Sequence, residues 1–284
     1  MSITITEPGI YSGIPNDIYH SDPTPDGSLS SSGAKKLIAT TPLHFKWDRD
    51  HSTHKDVFDF GTAAHSVILE GDESGLVVVD AADWRSKPAQ EAKTKAHATG
   101  KTPLLTKELD QVRAMAEQIR KHPEASFLLR DGLPEQSAFW QHETGVWLRA
   151  RFDWLPNKRG RGMMIPDYKT ATSADPGKFA KSAADFGYHQ QAAFYCEAAR
   201  ALGLSPDPVM LFVVQEKTGP YAVNVIELDE EAIATGRALN ERAIRLFQQC
   251  KLTDTWPGYR MGDPVPLPKW AIYDADNKLG AQAA

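Results

Sequence analysis

Three residues in the middle of this 284-residue chain, Asp153, Asp167 and Lys169, have the types and spacing that suit metal-assisted hydrolysis. In an extended strand, residues two apart point the same way. Asp167 and Lys169 of Ile165-Pro166-Asp167-Tyr168-Lys169 therefore share a face, while Tyr168 points opposite. The preceding segment alternates too: Trp147, Arg149, Arg151 and Asp153 on one face, Val146, Leu148, Ala150, Phe152 and Trp154 on the other. Folded back as a hairpin through the basic, glycine-bearing loop 157–162, these strands would bring Asp153 beside Asp167. Two carboxylates so placed repel unless a cation lies between them. One or two Mg²⁺ ions held there can generate a nucleophile, neutralise the transition state and help a leaving oxygen depart. A lysine alongside can orient the water or help deprotonate it. The chemistry implied is phosphodiester hydrolysis.

An acid two residues before a lysine also occurs at Glu91-Ala92-Lys93 and Asp276-Asn277-Lys278. The first falls in a helical pattern, where residues two apart do not share a face, and the second in a polar tail. Only the middle one follows a carboxylate-bearing strand; the bland reading of it is a salt-bridged surface hairpin. His65, at the margin of the apolar stripe Phe60, Ala64, Val67 and Ile68, is a candidate imidazole ligand or simply a solvated helix-edge histidine. Gln191 and Tyr195 lie four apart on a predicted helix. They suit orienting water or phosphate and lining a DNA path, or a polar edge beside an alanine-rich face. Lys158, Arg159 and Arg161 in the loop, with Arg149 and Arg151 on the strand, are candidate phosphate contacts, Arg151 foremost because it lies two residues from Asp153.

Other chemistries fall away. The stretch Ala98-Thr99-Gly100-Lys101-Thr102 resembles the end of a P-loop, but position 95 is Lys95 rather than glycine and no strand is expected before it. His51 and His54 lack partners at metal-ligand spacing. Cys196 and Cys250 are too few for an iron–sulfur cluster or a disulfide framework. The composition, 41% hydrophobic and 24% charged, is that of an ordinary globular chain. No apolar run approaches the ~18 residues that cross a bilayer, and a cytoplasmic location is expected. The net charge of −5 means that any DNA contact must rest on a local basic patch.

The elements that must position these residues follow from the pattern. Residues 1–27 read as an extended arm, and Ser30, Ser31 and Ser32 cap a short helix ending before Thr41-Pro42. Residues 48–56 are a polar separator, 60–69 a helix, and 81–130 mostly helical with a break at 100–103. Strands are expected over 136–141, 146–155 and 163–170, a helix over 188–202, a hairpin over 209–216 and 221–228, and a long amphipathic helix over 230–250. The Pro- and Trp-rich stretch 253–270 is expected to wrap the surface. The chain thus divides into an arm (1–58), an α/β core (59–250) with a central mixed sheet flanked by helices, and a tail (251–284) packing on that core.

Taken in order, Gly61-Thr62-Ala63-Ala64-His65, Arg149-Ala150-Arg151-Phe152-Asp153, Asp167-Tyr168-Lys169-Thr170 and Gln191-Ala192-Ala193-Phe194-Tyr195 resemble the motifs of RecB-like nucleases of the PD-(D/E)xK superfamily. Among these, the chain is most similar to the phage and prophage RecE-type exonucleases (exodeoxyribonuclease VIII). That likeness includes Pro8-Gly9-Ile10-Tyr11, Tyr19-His20, Ser30, Ser32, Thr41-Pro42, Trp47, Trp256-Pro257 and Leu267-Pro268-Lys269-Trp270-Ala271. The resemblance implies a PD-(D/E)xK core using Mg²⁺ or Mn²⁺, one or two ions per site. It implies digestion of one strand, 5′ to 3′, from linear duplex ends to leave single strands for an annealing partner of RecT type. His65, Asp153, Asp167 and the Tyr168 carbonyl would be metal ligands, Lys169 the water-activating residue and Gln191 its orienting partner. Ser30 and Ser32 would engage a 5′ phosphate at the helix N-terminus. Relatives form rings threaded by DNA, which implies a homo-oligomer. A catalytically silent DNA-end-binding module and a sequence-specific endonuclease on the same core are the competing expectations.

Overall fold

The computed structural model describes residues 3–51, 59–260, 262 and 264–281; His54 and most of the expected polar separator lie outside them. The N-terminal segment forms β1 (Gly9–Tyr11), α1 (Asn16–His20), β2 (Ser28–Ser30), α2 (Ser31–Ala39) and α3 (Pro42–Asp50). Then come α4 (Asp59–His65), a π-helical turn (Ser66–Glu70), β3 (Leu76–Val79), α5 (Lys87–Ala98), β4 (Thr102–Leu105), α6 (Thr106–Lys121) and α7 (Pro123–Leu128). The remainder comprises β5 (Gly132–Gln141), β6 (Trp147–Pro156), β7 (Met164–Ala171), α8 (Pro176–Phe186), α9 (Tyr188–Ala201), β8 (Val209–Glu216), β9 (Val223–Glu227), α10 (Glu230–Thr253) and α11 (Lys269–Ala281).

The architecture is α/β, with mixed sheets between helical layers, as expected. One sheet has the order β1-β5-β6-β2, with β2 parallel to β6 and the other pairs antiparallel. The other has the order β7-β8-β9, with β7 parallel to β8 and β9 antiparallel to it. The expected β6–β7 hairpin is therefore corrected. These strands run side by side around the connecting loop, yet no ladder joins them among the described residues. Asp153 is the physical reason: its carboxylate, rather than a main-chain carbonyl, accepts the Tyr168 N–H at 2.9 Å. The side chain wedges a seam between two sheets.

The arm is stitched into this framework through both outer strands of the first sheet. Asp22, at φ 66°, accepts from the Ser28 N–H at 2.6 Å and pairs with the buried Arg149 of β6 at 2.8 Å. Tyr19 packs with Phe139 and Trp147 beneath it. Short β3 and β4 pair in parallel; β4 begins within the break expected at 100–103, and neither strand was anticipated. The α3 and α8 helices were not anticipated either. Trp256 stacks on Phe45 with ring centres 5.8 Å apart and anchors the start of the tail on the core. Beyond it, the unanticipated α11 presents Trp270, Tyr273 and Leu279 to solvent rather than to the body, so packing on the core ends near Trp256.

On one side of the sheets, Leu148, Ala150 and Phe152 of β6 pack against Phe194 and Ala198 of α9 and Phe247 of α10. On the other, Tyr168 of β7 and Val213 of β8 lie beneath Ala64, Val112 and Ala116 of α4 and α6. The position of α9 depends on its approach to α10. A Cβ at Gly236 would lie 2.1 Å from the His189 carbonyl oxygen, and Asn240 donates to the Gln190 carbonyl at 2.8 Å. Gly236→Ala must therefore push the helices apart. It is expected to lower stability by about 1–3 kcal/mol in urea denaturation, the usual range for overpacking; an unchanged midpoint would contradict this contact.

Candidate active site

The seam between β6 and β7 gathers the side chains that sequence reasoning singled out. Asp167 is 1% exposed on β7. Its Oδ1 accepts from Gln191 Nε2 of α9 at 2.7 Å, and its Oδ2 pairs with the Lys169 ammonium. Asp153 enters from β6 close enough to Asp167 for their charges to couple, while His65 Nδ1 lies 3.7 Å from Asp153 Oδ2. His65 ends α4 at the point where the helix widens into the π turn, a local irregularity frequent at functional sites. Its ring meets the Tyr168 ring edge-on at 5.3 Å. Tyr168 itself points into the opposite layer, with its hydroxyl donating to Gln215 at 2.7 Å. The period-two reading of β7 thus holds in detail.

One member was missed. Glu135 of β5 lies across from Asp153 at a gap in the β5–β6 register, and Glu135, His65 and Asp153 each offer a ligand atom within 4.8 Å of the others. Its φ of 50° is strained for a residue with a side chain, the kind of cost that clusters at functional sites. Pro134 marked a strand boundary and hid it; the acidic residue just inside that boundary was the available signal.

The electrostatics are those of crowded carboxylates that one ammonium, Lys169, only partly offsets. Burial, then Asp153, pushes the Asp167 carboxyl up to about 6, although Lys169 pulls the other way. Burial, then Asp153, pushes Glu135 up to about 8. Burial also raises Asp153. His65 is held down to about 4 by burial and by the Lys169 charge, so its imidazole is neutral, as a ligand must be. Burial alone would lower Lys169, but Asp167 and Asp153 outweigh it and keep the amine above its ordinary value.

This donor set fits a divalent cation. Asp167 Oδ2 is buried and, apart from its ion pair with Lys169, has no hydrogen-bond partner among the described residues. Carboxylate oxygens suit Mg²⁺, and a neutral imidazole among them suits Mn²⁺ as well. The other His/acid group among the described residues, His142, Glu143 and Glu241, differs because Arg245 already bridges its acids, 2.7 Å from Glu241 and 3.6 Å from Glu143.

Several expected DNA contacts lie elsewhere. The Arg151 guanidinium donates to Ser137 Oγ, Asn16 Oδ1 and the Ile14 carbonyl and covers the Tyr19 ring at 4.2 Å, so it fastens the arm to β6. Tyr195 is packed edge-on against Phe152 at 5.4 Å, inside the α9–β6 interface rather than along an open path. Lys158, Arg159 and Arg161 sit in the loop beyond the ends of β6 and β7, and the strand from Asp153 to its end at Pro156 alone spans about 10 Å. That loop is tied to the α9–β8 connection through Arg161–Asp207 at 3.6 Å and Gly160 N–H to Leu204 O at 2.8 Å. Ser30 caps α2 by accepting the Gly33 N–H at 3.1 Å and lies 3.0 Å from the exposed Ser32 hydroxyl.

A family model described as a PDDEXK-like domain of unknown function (DUF3799) matches residues 30–262. The chain belongs to this PDDEXK-like family. The match runs from β2 to the Trp256 anchor and takes in every residue of the seam. The fold is similar to that in a crystal structure from Eubacterium rectale described as a candidate exonuclease, with TM-score 0.59, 12% identity, and 90% of this chain and 97% of that one covered. No curated protein matches the chain. The PD-(D/E)xK assignment is thus upheld, while neither comparison reaches the RecE-type specificity. Among the described residues, no helix of this PDDEXK-like chain is long and apolar enough to cross a membrane.

The raised carboxyls carry a pH consequence. An acid whose folded-state pKa exceeds its unfolded one binds protons more tightly when folded. Its contribution is therefore favourable at low pH and is lost as pH rises from the unfolded value towards the folded one. For Glu135 that window runs from its ordinary 4.5 to about 8. In EDTA, the melting temperature should decline across this window more steeply for the wild type than for Glu135→Gln. Parallel profiles would contradict the crowding.

Proposed function

We propose that this PDDEXK-like chain is a divalent-metal-dependent DNA nuclease that removes one strand, 5′ to 3′, from linear duplex ends. The observation that carries the reading is the convergence of His65, Glu135, Asp153, Asp167 and Lys169 in one largely buried seam. His65, Asp153, Asp167 and the Tyr168 carbonyl would hold the cation, with Glu135 completing the acidic wall. The cation, when bound, supplies an activated water and charge neutralisation at phosphorus.

The chain's own residues do the rest. Gln191 fixes one Asp167 oxygen, so that the other faces Lys169. Lys169, kept as an ammonium by the two acids beside it, acts as a donor that orients a water or a phosphate oxygen. Tyr168 and Phe152, buried in opposite layers, wall the seam on its two flanks. Exonuclease rather than endonuclease action, and its polarity, rest on the ordered motifs shared with RecE-type enzymes. Release of single strands to an annealing partner and assembly into a DNA-threaded ring belong to the same reading; a ring would reconcile the −5 net charge with a locally basic bore.

End-labelled linear duplex and closed circular duplex, each with Mg²⁺ or Mn²⁺ and with EDTA, test it. Metal-dependent loss of the linear form alone is expected. Asp167→Asn should abolish activity, and Lys169→Ala should lower kcat by about 10²–10³-fold, the usual cost of a donor aimed at developing charge. Cutting of circles at fixed positions would indicate an endonuclease. End binding without hydrolysis under any metal would indicate a silent module.

A further inference from the structure

Lys35 was not among the expected site residues. It lies in α2, and its aliphatic stem crosses Gly187 at the start of α9, where a Cβ would meet the lysine Cδ at 2.7 Å. Gly187 has φ 65° and no side chain, so the junction of α8 and α9 leaves a channel that the lysine fills. The Lys35 ammonium ends 5.9 Å from the centre of the Tyr188 ring, and the Lys169 ammonium lies 5.4 Å from the same ring. Two lysines from different layers thus reach one aromatic side chain beside Asp167.

This arrangement is costly as it stands. Lys35 is partly buried and forms no ion pair among the described residues, while the nearby Asp167 is engaged by Lys169 and Gln191. Burial and the Lys169 charge push the Lys35 amine down to about 8. An unpaired, partly desolvated cation facing a second cation calls for an anion between them. Ser32, three residues earlier on α2, shares the Lys35 face and leaves its hydroxyl exposed, so the helix offers a neutral donor next to the charged one. The bland alternative, a lysine stem filling the space over Gly187 with its ammonium against the Tyr188 ring, accounts for the packing but leaves the approach of this second cation to Lys169 uncompensated.

We propose that Lys35 is a substrate-binding residue that holds the phosphodiester under attack, seated between its ammonium and the Asp167–Lys169 pair. The assignment rests on the nuclease reading above and adds a second cation to it, contributed by the N-terminal segment. Metal ligands and Lys169 then grip the phosphate from the sheet side, and Lys35 from the helix side.

Lys35→Met keeps the stem over Gly187 and removes the charge; Lys35→Arg restores a cation. With linear duplex and Mg²⁺ or Mn²⁺, Lys35→Met should lose about 10–100-fold in kcat/KM at a melting temperature no lower than that of the wild type, and Lys35→Arg should recover most of it. The plot of log(kcat/KM) against log salt should become shallower by about 0.9, the value for one phosphate contact. An equal loss on 5′-phosphorylated and 5′-hydroxyl duplexes supports the phosphodiester under attack, whereas a loss confined to the phosphorylated end would overturn that assignment in favour of a terminal phosphate. Binding of labelled duplex in EDTA separates the two readings. If the wild type cuts no DNA yet Lys35→Met binds more weakly with the shallower salt slope, the nuclease reading fails and the phosphate contact stands. Unchanged affinity, slope and kcat/KM in Lys35→Met would refute the role of Lys35.

Discussion

Repulsion among buried carboxylates is the constraint on which this structure turns. Asp153, Asp167 and Glu135 come from three neighbouring strands and crowd a partly buried seam where water screens them poorly. Each would gain by staying protonated or by sharing a cation. Lys169 offsets part of the cost, and Gln191 part of the rest by fixing one oxygen of Asp167. Such half-compensated polar clusters survive in folded proteins when the surrounding packing over-determines them and the missing charge arrives with a ligand.

The packing here does over-determine the site. Leu148, Ala150 and Phe152 bind β6 to α9 and α10, whereas Tyr168 and Val213 bind β7 and β8 to α4 and α6. Neither sheet can slide without breaking a core. The Asp153 side chain therefore stays wedged where a main-chain ladder would otherwise close. The N-terminal segment contributes on both flanks: Asp22–Arg149 secures β2 against β6, and α2 carries Lys35 to the far side of the seam.

Much of this was legible from residue order alone, because period-two alternation is a local property. It placed Asp167 and Lys169 together, put Tyr168 in the opposite layer, and set Asp153 apart from Phe152. The four-residue helical spacing likewise set Gln191 on one side of α9. What escaped was set by tertiary contacts. The ladder between β6 and β7 was expected because a short loop joins them, yet a side chain took the place of the main-chain acceptor. Glu135 sits at a left-handed position that no propensity announces. Arg151 and Tyr195 had the right chemistry for nucleic acid, but the arm and Phe152 claim them. Lys35 reaches the seam only because Gly187 leaves it room.

The central claim is that the seam exchanges protons for a divalent cation. Calorimetric titration of Mn²⁺ into the metal-free protein near pH 6.5, repeated in buffers of different ionisation enthalpy, measures both the binding and the protons released. The account predicts saturable binding with net proton release, both lost in the Asp153→Asn, Asp167→Asn double variant. Absence of binding in the wild type, or binding that survives unchanged in the double variant, would contradict it.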